Sequence, residues 1–369
     1  MLAEQVFISL FYIIVVIQLL YYFGIFSYFI FGKEVEIDVS EELPVSILIS
    51  AKNEEVNLTQ NLPYYIHQKH HLFELVLIND HSSDKTLKIM HDFKLQNSSI
   101  DITIVNMDKD SNGNKKLALT KGISIAKFPY LLFTDADCKP NSDKWITSMT
   151  KKLIKKQIVL GYGAYEKKKG SWLNKLIRFE TLITALQYFS YAKMGYPYMG
   201  VGRNLAYRKN LFIKSNGFSK HINIRSGDDD LFINEVATKD NVAISCQTMA
   251  HTISKAHTNF KKWLHQKKRH ITTANNYKLI HQVLLGLYFV SSFFFWALSL
   301  FLILYSNHFI TVVVLLFIRL MVQYFYLFKA TKKLNEKDLV IFVPLLELVL
   351  IGIQFYLFIS NLLVKPKSW

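Results

Sequence analysis

The sequence predicts an α/β domain with a mostly parallel sheet, set between apolar helices that cross a membrane. Three observations lead there. Short apolar runs alternate with polar segments of helix length through the first half of the chain, which is the pattern of a βαβ sheet. Strand-like runs end in acidic or amide residues, where ligands bind in such sheets. Apolar stretches of roughly 20 residues, enough to span a bilayer core, lie at both ends of the 369-residue chain.

Leu2 to Phe31 carries one charge, Glu4. It lacks a basic start and a small-residue cleavage site and is longer than a signal-peptide core, so residues 1–32 are expected to remain as an anchor. Val283–Tyr305, Phe309–Phe328 and Leu339–Val364 make up a C-terminal membrane domain over 281–369, the last run containing Pro344 and therefore open to a re-entrant reading. No Lys or Arg precedes the first run, whereas most of the 44 basic residues fall in the middle segment, 33–280. The positive-inside rule puts that segment in the cytoplasm, on the inner face of the membrane. Arg319 and Glu347 sit inside apolar runs at similar depth, which suggests an ion pair or, alternatively, a contact for a lipid or glycan.

The net charge of +16 suits an anionic leaflet and phosphorylated substrates. Nucleic acid is set aside, because the charge borders apolar helices and no nucleic-acid module is recognisable. Cys138 and Cys246 have no metal-ligand spacing and, in the cytoplasm, no expected disulfide.

In chain order, Pro44 opens the strand VSILIS, followed by AKNEE; Asn57–Gln68 reads as a helix, and LFELVLIND as a strand ending at Asn79 and Asp80. A helix at Lys85–Phe93, a strand at Ile100–Val105 and a basic loop leading into a helix, NGNKKLALTKG, come next. The strand YLLF then delivers Asp135 and Asp137. Residues i and i+2 of an extended backbone point the same way, so both carboxylates can face a divalent cation bridged by a diphosphate. That is a nucleotide-sugar site in outline; a solvated turn is the alternative. Lys151–Lys156 reads as a solvated helix face, and Ile158–Tyr162 as a strand. Residues 171–197 have helical spacing interrupted by charges, expected on the membrane surface or as a buried helix.

A second acidic cluster, SGDDDLF (226–232), crowds three carboxylates, which raises the pKa of one of them. It also reads as an acidic helix N-cap, and both can hold. In WLHQKKRH, Gln266 and Arg269 are three apart and share a helix face, where a guanidinium can meet a departing diphosphate; a basic helix on lipid headgroups is the other reading.

With these motifs in order, Pro44 to Tyr277 resembles the membrane-bound inverting glycosyltransferases of family 2, the group of cellulose, hyaluronan and poly-N-acetylglucosamine synthases and ceramide glucosyltransferases. The resemblance implies a GT-A fold, a UDP-sugar donor and Mn²⁺ or Mg²⁺. It places Ala51, Asn53 and Glu54 of AKNEE at the nucleoside, with Asp80 facing the base and Asn79 where the family has Asp. Lys115 of KKLALTKG becomes a phosphate or ribose contact, and Asp135 and Asp137 match the D-x-D pair. Aligned on Leu231, SGDDDLF puts Asp228 at the general-base position and Gly227 where Glu is usual; a shift of one residue favours Asp229. YMGVGRNLAYR is similar to the acceptor-side loop, with Gly202, Arg203 and Asn204 expected there, as are Trp263 and His270. Gln266 and Arg269 match Q-x-x-R, but His270 replaces the Trp that stacks on acceptor sugar.

The expectation is therefore a membrane-embedded transferase moving sugar from a UDP-sugar to a lipid or lipid-linked hydroxyl. A processive synthase that extends and exports a glycan is the alternative, and a non-catalytic nucleotide-sugar-binding membrane protein is a third reading. A nucleotidyltransferase would want a glycine-rich phosphate loop with Arg after the first strand, and SAKNEE is not one. The sequence names no partner subunit.

Overall fold

The structure, a computed structural model, describes residues 2–34, 42–107, 114–224 and 226–363, excepting the side chains of Ala3, His270 and Leu362. The chain forms two compact units, one of Lys33–Gly170 and Gly195–Thr258, the other of Met1–Gly32, Ser171–Met194 and Asn259–Trp369. The segments around 171–194 and 260–278 thus cluster with the apolar helices.

The first unit is an α/β sandwich whose strands are β1 (Val45–Ala51), β2 (Phe73–Asn79), β3 (Asp101–Asn106), β4 (Tyr130–Asp135), β5 (Cys138–Pro140), β6 (Ile158–Gly161), β7 (Gly163–Tyr165), β8 (Leu205–Arg208), β9 (Val242–Ser245) and β10 (Thr252–Ser254). Seven of them make one sheet in the order β3-β2-β1-β4-β8-β6-β9, with β1, β2, β3 and β4 mutually parallel and β8 antiparallel to both neighbours. The strands are near-continuous apolar runs because helices cover both faces; β1 is buried at every position but Ser50. Strand order reverses between β1 and β4, so the crevice beyond their carboxyl ends is the topological switch point. Register sets Ser50 beside Asp135 and Ala51 beside Asn79 at that edge.

Two devices hold this part of the sheet in place. The buried Glu74 carboxylate accepts from Ser46 Oγ and the Lys127 amide, each at 2.5 Å, and Ser46 Oγ accepts from the Phe128 amide at 3.1 Å, which pins the entry to β4 against β1 and β2. The helix Lys115–Ile125 lies on β1 and β2 through Gly122, where a Cβ would come within 2.3 Å of Ile78 Cδ1. A small sheet, β5-β10-β7, continues directly from the D-x-D turn.

Lys151–Lys156 is not a solvated helix face. Lys151–Ile154 is a 3₁₀ turn, and Lys152 is buried, donating to Glu34 and to the Ile244 carbonyl, both at 2.5 Å. The helix expected at Asn57–Gln68 is two, Glu55–Asn61 and Pro63–Ile66, divided where Pro63 starts the second.

The second unit has four helices long and apolar enough to cross a membrane, Glu4–Phe31, Leu279–Tyr305, Phe309–Lys333 and Lys337–Asn361. The first and second pack through Phe11 on Phe295, ring centroids 5.8 Å apart. Arg319 and Glu347 pair at 2.7 Å as expected, and the pair is enclosed by further bonds from Arg319 to Gln18 and Gln323 and from Trp296 to Glu347. The helix Trp172–Met194 buries Arg178, which binds Glu336 and Asp338.

Candidate active site

The crevice at the end of β1 and β4 gathers residues that are far apart in sequence. Lys115, first residue of its helix, places Nζ 3.0 Å from Asp135 Oδ1 and 3.0 Å from Asp228 Oδ2. One ammonium therefore joins the D-x-D pair to the second acidic cluster. Against the cost of burial, the carboxylates of Asp135, Asp228 and Asp229 hold that ammonium well above the usual lysine range. Asp135, Lys115, Asp228, Asp229 and Gly202 line one cavity.

Asp137 follows β4 by two residues and is tied in by its neighbours. Asn61 donates to the Ala136 carbonyl at 3.0 Å and Tyr65 to the Cys138 carbonyl at 2.8 Å, so the turn's backbone is held from the helices after β1. Burial, with the charge of Asp135 behind it, pushes the Asp137 carboxyl up; Arg203 and Lys115 act the other way. Two hard oxygen donors under mutual repulsion suit a divalent cation of the magnesium or manganese kind.

Asp229 caps the helix Asp230–Val236, accepting at Oδ1 from the Asp230 amide at 2.8 Å. Its Oδ2 accepts from the Gly202 amide at 2.6 Å, an approach that any Cβ at Gly202 would crowd at 3.2 Å. Burial and the adjacent carboxylates of Asp228 and Asp230 push the Asp229 carboxyl up to about 7. The N-cap and charge-crowding readings of SGDDDLF therefore hold together. Gly227 has φ +90°, a left-handed backbone that explains glycine at this position.

Of the residues expected at the nucleoside, Asn53 lies in the left-handed region at φ +57° and its Oδ1 accepts from the Ser83 amide at 2.8 Å. Asp80 is buried, donates its amide to Ala51 and binds His81 at 2.7 Å. Burial raises Glu54, with the charges of Asp137, Asp135 and Asp84 adding to it, while Asn57 donates to it at 2.6 Å. Ala51, Asn53, Glu54 and Asp80 thus stand together at the ends of β1 and β2.

The residues expected at the acceptor, and the Gln266/Arg269 pair expected at the departing diphosphate, divide. Arg203 is fixed by Ser254 at 2.9 Å and the Gly163 carbonyl at 2.8 Å, lies over the Tyr165 ring, and faces the charges of Asp137 and Asp135. Asn204 requires a correction. It is fully buried, donating to the Tyr162 and Ala250 carbonyls and accepting from Trp145 Nε1, and so has no group left for an acceptor. Trp263, Gln266 and Arg269 lie on the helix Phe260–Ala274 of the other unit. Trp263 is buried there at 1% exposure, which argues against acceptor contact, and burial lowers Arg269. The side chain of His270 lies outside the described residues.

Sequence reasoning missed Asn61, Tyr65 and Lys116. The first two sit in an ordinary helical pattern, and only their bonds to the 136–138 backbone mark them.

Fold and site together define a GT-A nucleotide-diphospho-sugar transferase domain carried by an integral membrane protein. The sequence model of Glycosyl transferase family 2 matches residues 46–215, so this region carries a Glycosyl transferase family 2 domain. A poly-beta-1,6-N-acetyl-D-glucosamine synthase of Staphylococcus aureus (strain COL) is 29% identical over 143 residues, 39% of this chain and 33% of that protein. The synthase of the same name from Staphylococcus epidermidis is 32% identical over 99 residues, 27% of this chain and 23% of the relative. The matched region thus spans about a third or less of the length of these relatives. Among solved structures, the mannosyltransferase PcManGT from Pyrobaculum calidifontis, in complex with GDP-Man and Mn²⁺, has a TM-score of 0.61 at 15% identity, covering 90% of this chain and 98% of that one. That likeness is one of fold.

Proposed function

We propose that the protein transfers a sugar, with inversion, from a nucleotide-diphosphate sugar, UDP-linked, to a lipid or lipid-linked hydroxyl at the inner membrane face. The observation that carries it is the Lys115 bridge, which sets the D-x-D carboxylate of Asp135 and the acidic cluster in one crevice. Asp135 and Asp137 would hold Mg²⁺ or Mn²⁺, which when bound supplies positive charge to the diphosphate. Ala51, Asn53, Glu54 and Asp80 receive the nucleoside, and Lys115 is within reach of the phosphates once it leaves a carboxylate. Asp229 is the general base of the two acidic candidates. It takes the proton of the acceptor hydroxyl as that oxygen attacks the anomeric carbon and the nucleoside diphosphate leaves from the opposite face. Arg203 sits beside the D-x-D turn as a fixed cation. His270 in the place of the family's Trp favours a single transfer over chain extension.

Polymer synthesis is the second reading, favoured by similarity to the two poly-beta-1,6-N-acetyl-D-glucosamine synthases. The deciding experiment incubates the purified full chain in native lipids with Mn²⁺ and a panel of radiolabelled UDP- and GDP-sugars. Label in glycolipid supports the proposal and identifies the donor; label in high-mass polymer transfers the conclusion to the synthase. No turnover with metal-dependent donor binding would point to the non-catalytic reading.

A further inference from the structure

Asn114, Lys115 and Lys116 open one helix, and each of them reaches the segment that runs into the acidic cluster. Asn114 Oδ1 caps the helix by accepting from the Lys116 amide at 3.0 Å, while its Nδ2 donates to the Ile222 carbonyl at 3.2 Å. Lys115 binds Asp228. Lys116 is completely buried and donates from Nζ to the His221 carbonyl at 2.6 Å and the Ile224 carbonyl at 2.8 Å. A buried ammonium in the first turn of a helix is unfavourable twice over, by desolvation and against the positive end of the helix dipole. Its place there calls for something that only a cation with several donors supplies.

The 3₁₀ turn Ser219–His221 runs on into a second turn, in which the His221 carbonyl accepts from the Ile224 amide at 3.1 Å, and Lys116 ties down both ends of it, the His221 and Ile224 carbonyls, across 105 and 108 residues of sequence. The side chain of His221 does not hold the turn: it is buried, its Nε2 is 3.9 Å from Glu235, and neither ring nitrogen has a hydrogen-bond partner among the described residues. The charged groups facing Lys116 are Asp228, Asp229 and Asp230, with His221 on the same turn and Glu235 behind it. Burial lowers the Lys116 ammonium to about 8, with these three carboxylates opposing the shift.

We propose that Lys116 is a positioning residue for sugar transfer: it clamps the 221–224 turn onto the helix start, so that Asp228 and Asp229 keep their place beside Asp135. Lys115 joins the two acidic groups through their side chains, and Lys116 secures the backbone behind one of them. This rests on the transferase reading with Asp229 as base.

The test compares full-length wild type with Lys116→Met in lipid nanodiscs, by two readouts. Amide hydrogen exchange without ligand is expected to quicken in the variant over residues 218–231 while β1 and β4 stay protected; unchanged exchange there overturns the clamp. In transfer assays kcat is expected to fall about 10- to 100-fold, with the donor KM within about twofold of wild type. The acid limb of the pH profile is expected to move to higher pH, because a cation beside the base has gone. A fall in kcat with an unmoved limb, or a loss carried by donor KM, overturns the positioning role. Should Lys116→Met not fold, Lys116→Gln, whose amide still donates to one carbonyl, reads the same quantities. If wild type transfers no sugar yet exchange responds as expected, the transferase reading fails and the clamp stands.

Discussion

Asp228 and Asp229 are adjacent, yet their surroundings give them different work. Asp228 is committed to Lys115 at 3.0 Å, whereas Asp229 is held by backbone amides that fix its direction without supplying a full countercharge. A carboxyl raised to about 7 is a stronger proton acceptor than an ordinary aspartate and is still available at neutral pH. Asp229→Asn is expected to cut kcat by about 10²- to 10⁴-fold while leaving metal-dependent donor binding intact. Full turnover in that variant, with loss in Asp228→Asn instead, would return the base to the position found by aligning on Leu231. Because the base works unprotonated, the rate should rise with pH through about 7 and fall below it; a flat kcat profile from pH 5 to 8 would contradict the assignment. Asp137→Ala should abolish metal-dependent donor binding, measured by calorimetry with the nucleoside diphosphate and Mn²⁺, since it removes one of the two oxygen donors proposed to hold the cation.

At the level of elements, the site depends on how closely one helix lies on the sheet. Gly122 lets Lys115–Ile125 settle on β2, and Gly122→Ala would set a Cβ 2.3 Å from Ile78 Cδ1. Overpacking of this kind costs about 1–3 kcal/mol and would lift the helix start that carries Lys115 and Lys116. Denaturant unfolding is expected to show that loss, accompanied by weaker donor binding; an unchanged midpoint would mean that Ile78 moves aside. Strands β1 to β4 were legible in the sequence because each is a continuous apolar run ended by a polar residue, and the D-x-D pair was legible from its spacing. Strands β5, β7 and β10 have only three residues each, too few for any period to show. Lys116 escaped notice because a lysine beside another lysine in a basic loop looks solvated, and its carbonyl partners lie more than a hundred residues away. Asn204 misled for the reverse reason. Its motif neighbours Gly202 and Arg203 do face the acidic residues, but the chain turns into β8 directly after it and carries its amide into the core.

At the level of the molecule, length and apolarity alone marked the four membrane helices, whereas residues 171–194, which group with them, read from their charge-interrupted helical spacing as either a membrane-surface or a buried helix. The Arg319–Glu347 pair tests what those helices are for. The pair sits in a hydrogen-bonded network: Gln18 bonds Arg319 at 2.8 Å and Ser291 at 2.7 Å, Gln323 bonds Arg319 at 2.6 Å, and Trp296 bonds Glu347 at 3.2 Å, while Arg319 Nε has no hydrogen-bond partner among the described residues. The bonds from Arg319 to Glu347 and Gln18, and from Trp296 to Glu347, each run between two helices, so the geometry favours a pair that joins them. Glu347→Gln should leave the guanidinium without its countercharge and cost about 3–5 kcal/mol, read as a lower unfolding midpoint in detergent. Arg319→Met combined with Glu347→Leu removes both charges, and is expected to recover most of that loss and to keep transfer activity. A double variant that is stable but inactive would instead assign the pair to the passage or binding of the acceptor.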